Sequence, residues 1–265
     1  MARRGRSRAA VSGGLAGALS GFWAVYRREM LSLWVTPLAW LACFAFLLLQ
    51  GISFYIVIDH FAHFTSLSID QGPTQAYFSS FFIPISMLLI CPALTMGVFA
   101  EERRSGTIEA LLTAPVSGGS VVHAKYGAAL STYSLLWLPT VLYVVIVRKV
   151  VDIDWPVVAA SYLGVLLVGA AYLAVGILMS ALTRSQLAAS MLTMLVLFGL
   201  LILGIGERVF DPGFLHDLCA HVSVVSQLED FSRGVIDVRR VVFDGSVLLL
   251  CLFFTRRVVD SWRWG

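Results

Sequence analysis

Charged and apolar positions along this chain separate into blocks. Asp, Glu, Lys and Arg are absent from residues 30–58, 71–100, 126–147, 155–183 and 185–206. Each block exceeds the roughly 20 residues that carry a helix across a ~30 Å hydrocarbon core. Inside lipid every backbone N–H and C=O must be satisfied within its own segment, which selects helices. The pattern predicts spans at about 38–58, 78–100, 126–147, 156–182 and 187–206, the last with a loose end at Gly204-Ile205-Gly206. A sixth, 241–259, contains Asp244 and ends in Arg256 and Arg257. It crosses if Asp244 lies near one interface and the arginines snorkel to the other; otherwise it is an interfacial C-terminal helix. The expected fold is an all-α integral membrane protein with six transmembrane helices. A basic disordered tail over 1–20, touching anionic lipid, precedes a single domain over 21–265.

Composition agrees, at 58% hydrophobic and 13% charged, against roughly 45–50% and 25% in soluble domains. The basic residues also set an orientation. With the N-terminus cytoplasmic, the inside set is Arg3, Arg4, Arg6, Arg8, Arg27, Arg28, Arg103, Arg104, Lys125, Arg184, Arg256, Arg257 and Arg263. Only Arg148, Lys149, Arg208, Arg233, Arg239 and Arg240 fall outside, a division of 13 to 6. The net charge of +3 is therefore a topology signal and does not point to nucleic acid. Cysteines introduced at Ser66 and Ser117 are expected to label from opposite faces, Ser66 from outside. Same-side labelling would overturn this topology.

Between the blocks lie four informative stretches. Over 21–37, Phe22, Trp23, Tyr26, Met30, Leu33 and Trp34 share one helical face, with Arg28 and Ser32 opposite and Arg27 and Glu29 flanking. That is the pattern of an interfacial helix, or of the cytosolic end of the first span. Residues 59–77 are read as a solvated outer loop, with Asp59, His60 and His63 too few for a metal site. Over 207–240, Leu215, Leu218, Cys219 and Val222, and then Val225, Leu228, Phe231 and Val235, predict two short outer helices. In the fourth span, Gly164, Gly169, Ala170, Ala171, Ala174 and Gly176 allow close helix approach, suiting an interior or a dimer-facing position.

The fourth stretch follows the second span. Glu101, Glu102, Arg103 and Arg104 extend the helix, and Ser105-Gly106 interrupts it. Thr107 is an N-cap residue type, and Glu109 suits a first helical turn. Ile108, Leu111 and Leu112 form one apolar face before Pro115 and Gly118-Gly119 stop the element. A helix of about two turns is unstable alone, so this face rests on a partner or on the membrane surface.

Chemistry is sparse. No GxxxxGK[ST] is present, so no P-loop cradles nucleotide phosphates. The cysteines, Cys43, Cys91, Cys219 and Cys251, form no metal-ligand or paired spacing. Apart from Asp244 no acid lies deep in a span, which argues against ion-coupled transport and intramembrane catalysis. The expectation is no catalytic residue, cofactor or metal in this chain.

Residues 101–117, EERRSGTIEALLTAPVS, with Lys125 eight residues on, resemble the cytoplasmic loop E-(x)n-G-T-x-E-x-L-L-[TS]-x-P of type-2 ABC transporter permeases. Arg28-Glu29…Thr36-Pro37 and Phe231-Ser232-Arg233-Gly234-Val235-Ile236-Asp237 also resemble that family, in particular its GldF/NosY-like branch. Gln227, where that branch favours histidine, and Arg239-Arg240, where an acid is common, depart from it. The resemblance implies a six-span permease of the bacterial inner membrane, both termini cytoplasmic. It would form a homodimer or a heterodimer with a second permease, with possible periplasmic or membrane accessory proteins. ATP and Mg would be held by a separate P-loop ATPase subunit. Residues Thr107–Thr113 would be the coupling helix, with Glu101, Glu102, Gly106, Thr107, Glu109, Leu111, Leu112 and Pro115 as the ATPase-coupling residues. A variant reading is a membrane scaffold that uses ATPase motion mechanically without moving a solute.

Overall fold

The computed structural model describes residues 21–63, 72–107, 118–211 and 213–262. Among the described residues the regular elements are all helical. α1 covers 21–35; Thr36 closes it by donating from Oγ1 to the Ser32 carbonyl at 2.7 Å. α2 (Pro37–His63) starts at a proline, whose missing N–H costs nothing in a first turn. It runs past the expected end at residue 58. Asp59, His60 and His63 are therefore helical and not in a solvated loop, and His63 Nδ1 lies 3.0 Å from the Asp59 carbonyl one turn back.

The expected second span, 78–100, is centred on α4 (Phe82–Thr95), with α3 (Pro73–Phe78) ending at its start and α5 (Ala100–Ser105) beginning at its end. The break at 96–99 is repaired from a neighbouring helix. Ser180 Oγ accepts from the N–H groups of Phe99 and Ala100 at 3.1 and 3.2 Å and donates to the Met96 carbonyl at 3.0 Å. Such substitution lets a helix be interrupted where water cannot reach the backbone. α6 (Gly118–Trp137) continues through a 3-10 turn at Leu138–Thr140, which contains Pro139, into α7 (Val141–Arg148). Then come α8 (Trp155–Leu182), α9 (Gln186–Ile205), α10 (Phe214–Val222), α11 (Val224–Ser232) and α12 (Val238–Ser261).

Among the described residues five stretches are long and apolar enough to cross a membrane: Ala39–His63, Phe82–Ser105, Gly118–Arg148, Trp155–Leu182 and Gln186–Arg208. α12 has the length but carries Arg239, Arg240, Asp244, Arg256, Arg257 and Asp260. α8 is the hub, packing against α4, α6, α9, α11 and α12. Its glycines explain how. A Cβ on Gly169 would collide with the Tyr133 ring, one on Gly176 with Thr95, and one on Gly164 would lie 2.6 Å from Phe231 Cγ. The small residues of this helix thus serve packing within the chain. Gly176→Leu is expected to destabilise by about 1–3 kcal/mol or more through overpacking, read as a lower melting temperature in detergent. Gly199→Leu, with nothing within 4 Å of its Cβ position, should leave the melt nearly unchanged.

α11 is also a packing element. Ser223 caps it by accepting from Ser226 N at 3.3 Å, and Val224, Leu228 and Phe231 are buried. Gln227 donates to Asp244 Oδ2 at 2.6 Å, so the acid of α12 is buried beside an amide partner. Gly204 is no loose end: its Cβ would stand 2.9 Å from the Ser223 Cα, which puts α9 in backbone contact with the start of α11.

Candidate functional site

Residues 108–117, with Glu109, Leu111, Leu112 and Pro115, lie outside the described residues. The structure instead describes the two arms that carry this segment. The descending arm is α5. Its Glu101 receives Arg104 Nη2 on Oε1 at 3.1 Å and Gln186 Nε2 on Oε2 at 2.6 Å. Arg103 donates to the carbonyls of Ala181 and Thr183 at 3.0 and 3.4 Å, with its guanidinium 4.7 Å from the Trp262 ring centroid. One α5 side chain therefore reaches the C-terminal end of α8 and the region just past α12. Gly106 ends the arm at φ 72°, a left-handed conformation that favours glycine. Ser105 Oγ and Thr107 Oγ1 are 2.9 Å apart across it.

The returning arm begins at Gly118, packed so closely on the Asp260 carboxylate that any Cβ there would collide with it; at Gly119 a Cβ would lie 3.3 Å from Arg256 Nε. The two glycines expected to stop an element thus open α6 and seat it on α12. Nearly two turns after Gly118, Lys125 turns inward and is 1% exposed. Its Nζ donates to the Val98 carbonyl at 2.8 Å and pairs with Glu29 Oε1 at 2.9 Å and Glu102 Oε1 at 3.1 Å. The first of these is a hydrogen bond and the other two are ion pairs, so the buried ammonium is compensated by two carboxylates. The Phe99 ring centroid lies 5.2 Å from Nζ.

Arg28 completes the cluster, bonding Glu102 Oε1 and reaching Glu29 Oε1 at 3.2 Å. Two carboxylates face two cations, so the group is neutral as a whole. Glu102 Oε2 is buried without a hydrogen-bond partner among the described residues. Tyr26 Oη donates to Ser131 Oγ at 2.9 Å, laying α1 along α6. Glu29 is therefore a contact residue, while Arg28 stays largely exposed and reaches it from the solvated side. The arrangement is mechanical: α1, α5 and α6 meet in one buried ion network, and networks of this kind fix geometry.

The structure brings together Glu101, Glu102, Gly106 and Thr107 from the expected set. Sequence reasoning missed the partnership of Glu29, Lys125 and Glu102. Part of its signal was present: Lys125 is a lone charge at the edge of a charge-free block, where a cation flanked by apolar residues has few ways to stay solvated.

A sequence profile described as ABC-2 family transporter protein matches residues 56–215. That interval contains both arms and the segment between them. A search of curated proteins finds no match to the chain.

Proposed function

Since the chain belongs to the ABC-2 family of transporter proteins, we propose that it is the membrane-spanning permease subunit of an ATP-binding-cassette transporter, driven by separate P-loop ATPase subunits to export a solute or do conformational work across the membrane. The protein is a multi-pass membrane protein with five strongly apolar helices. In our reading α12 is the sixth span. It lies along α8, with Asp244 against α11 at one end of the bundle and Asp260 against the start of α6 at the other. The basic residues support cytoplasmic termini in a bacterial inner membrane, and the loop motif favours the GldF/NosY-like branch.

One observation carries the coupling role: both arms of the 108–117 segment are fastened to the same buried cluster of Glu29, Glu102 and Lys125. A short segment held rigidly on both sides transmits displacement at its tip as a rigid-body movement of the helices behind it. We take Thr107–Thr113 as the coupling helix, seated on the ATPase, with the permease acting as a dimer. Lipid faces the remaining apolar surface. The test is co-expression of a Thr107→Cys variant with a candidate P-loop ATPase subunit, followed by thiol cross-linking. A cross-linked permease–ATPase product is expected. Its absence, with a cross-link instead from an outer-face cysteine, would overturn the assignment.

A further inference from the structure

We propose that the groove between α2, α4 and α9 binds a small cationic amphiphile, its apolar body in the membrane-embedded trough and its charged head at the loop-bearing end. Two contiguous cavities make this groove. The first, of about 350 Å³, is an apolar trough whose walls include Leu41, Ala45, Leu88, Pro92, Met191 and Met194. The second, of about 160 Å³, is a polar vestibule lined by Glu29, Ser32, Thr36, Glu101 and Gln186. Ala93 and Met96 line both, so the two adjoin. The combined space falls in the roughly 300–1,000 Å³ range of small-molecule sites, which are mainly apolar with a few fixed polar groups.

The shape asks for a ligand with two unlike ends. From Leu88 to Met96 the trough follows about 12 Å of helix at 1.5 Å per residue, room for a ring system or a short alkyl chain but not a whole lipid. Charge selects the head. The vestibule is lined by two carboxylates and by no lysine or arginine. Glu29 makes both of its ion pairs through Oε1, and Arg104 and Gln186 engage Glu101 from its two oxygens. An anionic head would meet these acids with only Ser32, Thr36 and Gln186 as side-chain donors, whereas a cation finds Glu29 Oε2, the carboxylate oxygen that neither ion pair uses. Glu29 also belongs to the Lys125 cluster and Glu101 to the α5 arm, so a bound head would touch the parts that carry the coupling segment. That the ligand is cargo rests on the permease reading; that it binds does not.

The test uses the full chain in phosphatidylcholine nanodiscs without any ATPase. It is titrated with a dansyl-tagged alkyl trimethylammonium and with the alkyl phosphate of equal chain length, against empty discs. Saturable binding of the ammonium probe, at least tenfold tighter than the phosphate, is expected. Ala93→Trp, at the junction of the two cavities, should weaken it at least tenfold. Ser32→Arg, at an exposed position, should abolish the preference for the cation and keeps the test decisive should Ala93→Trp fail to fold. Equal binding of both probes, or no saturable binding, would overturn the proposal. So would a Met191→Cys variant that forms a disulfide between copies and binds no probe, because a second copy would then fill the groove. Failure here leaves the Thr107 cross-link standing, and a failed cross-link with intact probe binding would keep the site while removing its role as a transport pathway.

Discussion

Lys125→Met is expected to be the most destabilising single change in the described part of the chain. The methionine fills much of the same volume but removes one hydrogen bond and two ion pairs at once. The carboxylates of Glu29 and Glu102, both drawn to one nitrogen at 2.9 and 3.1 Å, would be left facing each other, with only the half-exposed Arg28 between them. Breaking a buried ion pair by deleting one partner costs about 3–5 kcal/mol, because the remaining charge stays buried. The expected readout is a melting temperature in detergent lowered well beyond that of Gly176→Leu. The triple variant Glu29→Gln, Glu102→Gln and Lys125→Met should recover most of the loss, since replacing a whole buried network with neutral groups is often close to neutral. Unchanged melting of Lys125→Met would show that the cluster does not hold α1, α5 and α6 together. A triple variant as unstable as the single one would show that Lys125 acts through packing and its bond to Val98, not through charge.

Much of the fold was legible because lipid leaves few choices. A charge-free run of more than about 20 residues must hydrogen-bond to itself, and all five apolar spans begin or end within a few residues of a charge. The glycines of α8 were legible as close-approach positions, but not as serving the interior. That depends on Tyr133, Thr95 and Phe231 arriving from three other helices, which no local pattern encodes. The three-part break around α4 was hidden for the same reason: the residue that makes it tolerable, Ser180, is about 80 positions away. Residues 207–240 showed helical spacing, yet the pattern could not tell a helix dipping into an interface from one buried against α8. Both place apolar residues on one face. The ion cluster was the least visible part. Arg28 and Glu29 read as the polar side of an amphipathic helix because the wheel records direction, not what waits there. The loop motif pointed to the site from the sequence, while its fastening is a property of the tertiary structure alone.

Leu112→Asp is expected to abolish association with the ATPase while leaving the permease folded. The residue shares an apolar face with Ile108 and Leu111 in the coupling segment that we propose. Glu102, Lys125, Ser180 and Arg103 would keep their partners, so insertion and melting temperature should match the parent. At the contact, an aspartate replaces the buried leucine with a carboxylate lacking a counter-charge. An unpaired buried charge costs several kcal/mol, and each 1.4 kcal/mol is tenfold in affinity, so co-purification should fall below detection. Glu109→Lys gives the graded comparison: losing a favourable charge near a helix N-terminus is worth only about 0.3–1 kcal/mol. Its effect on co-purification should be partial and should weaken at high salt, whereas that of Leu112→Asp should not. Intact co-purification and ATP-dependent activity in Leu112→Asp would place the motor contact elsewhere. Loss of association together with a lowered melt would instead assign Leu112 to the fold of the permease itself.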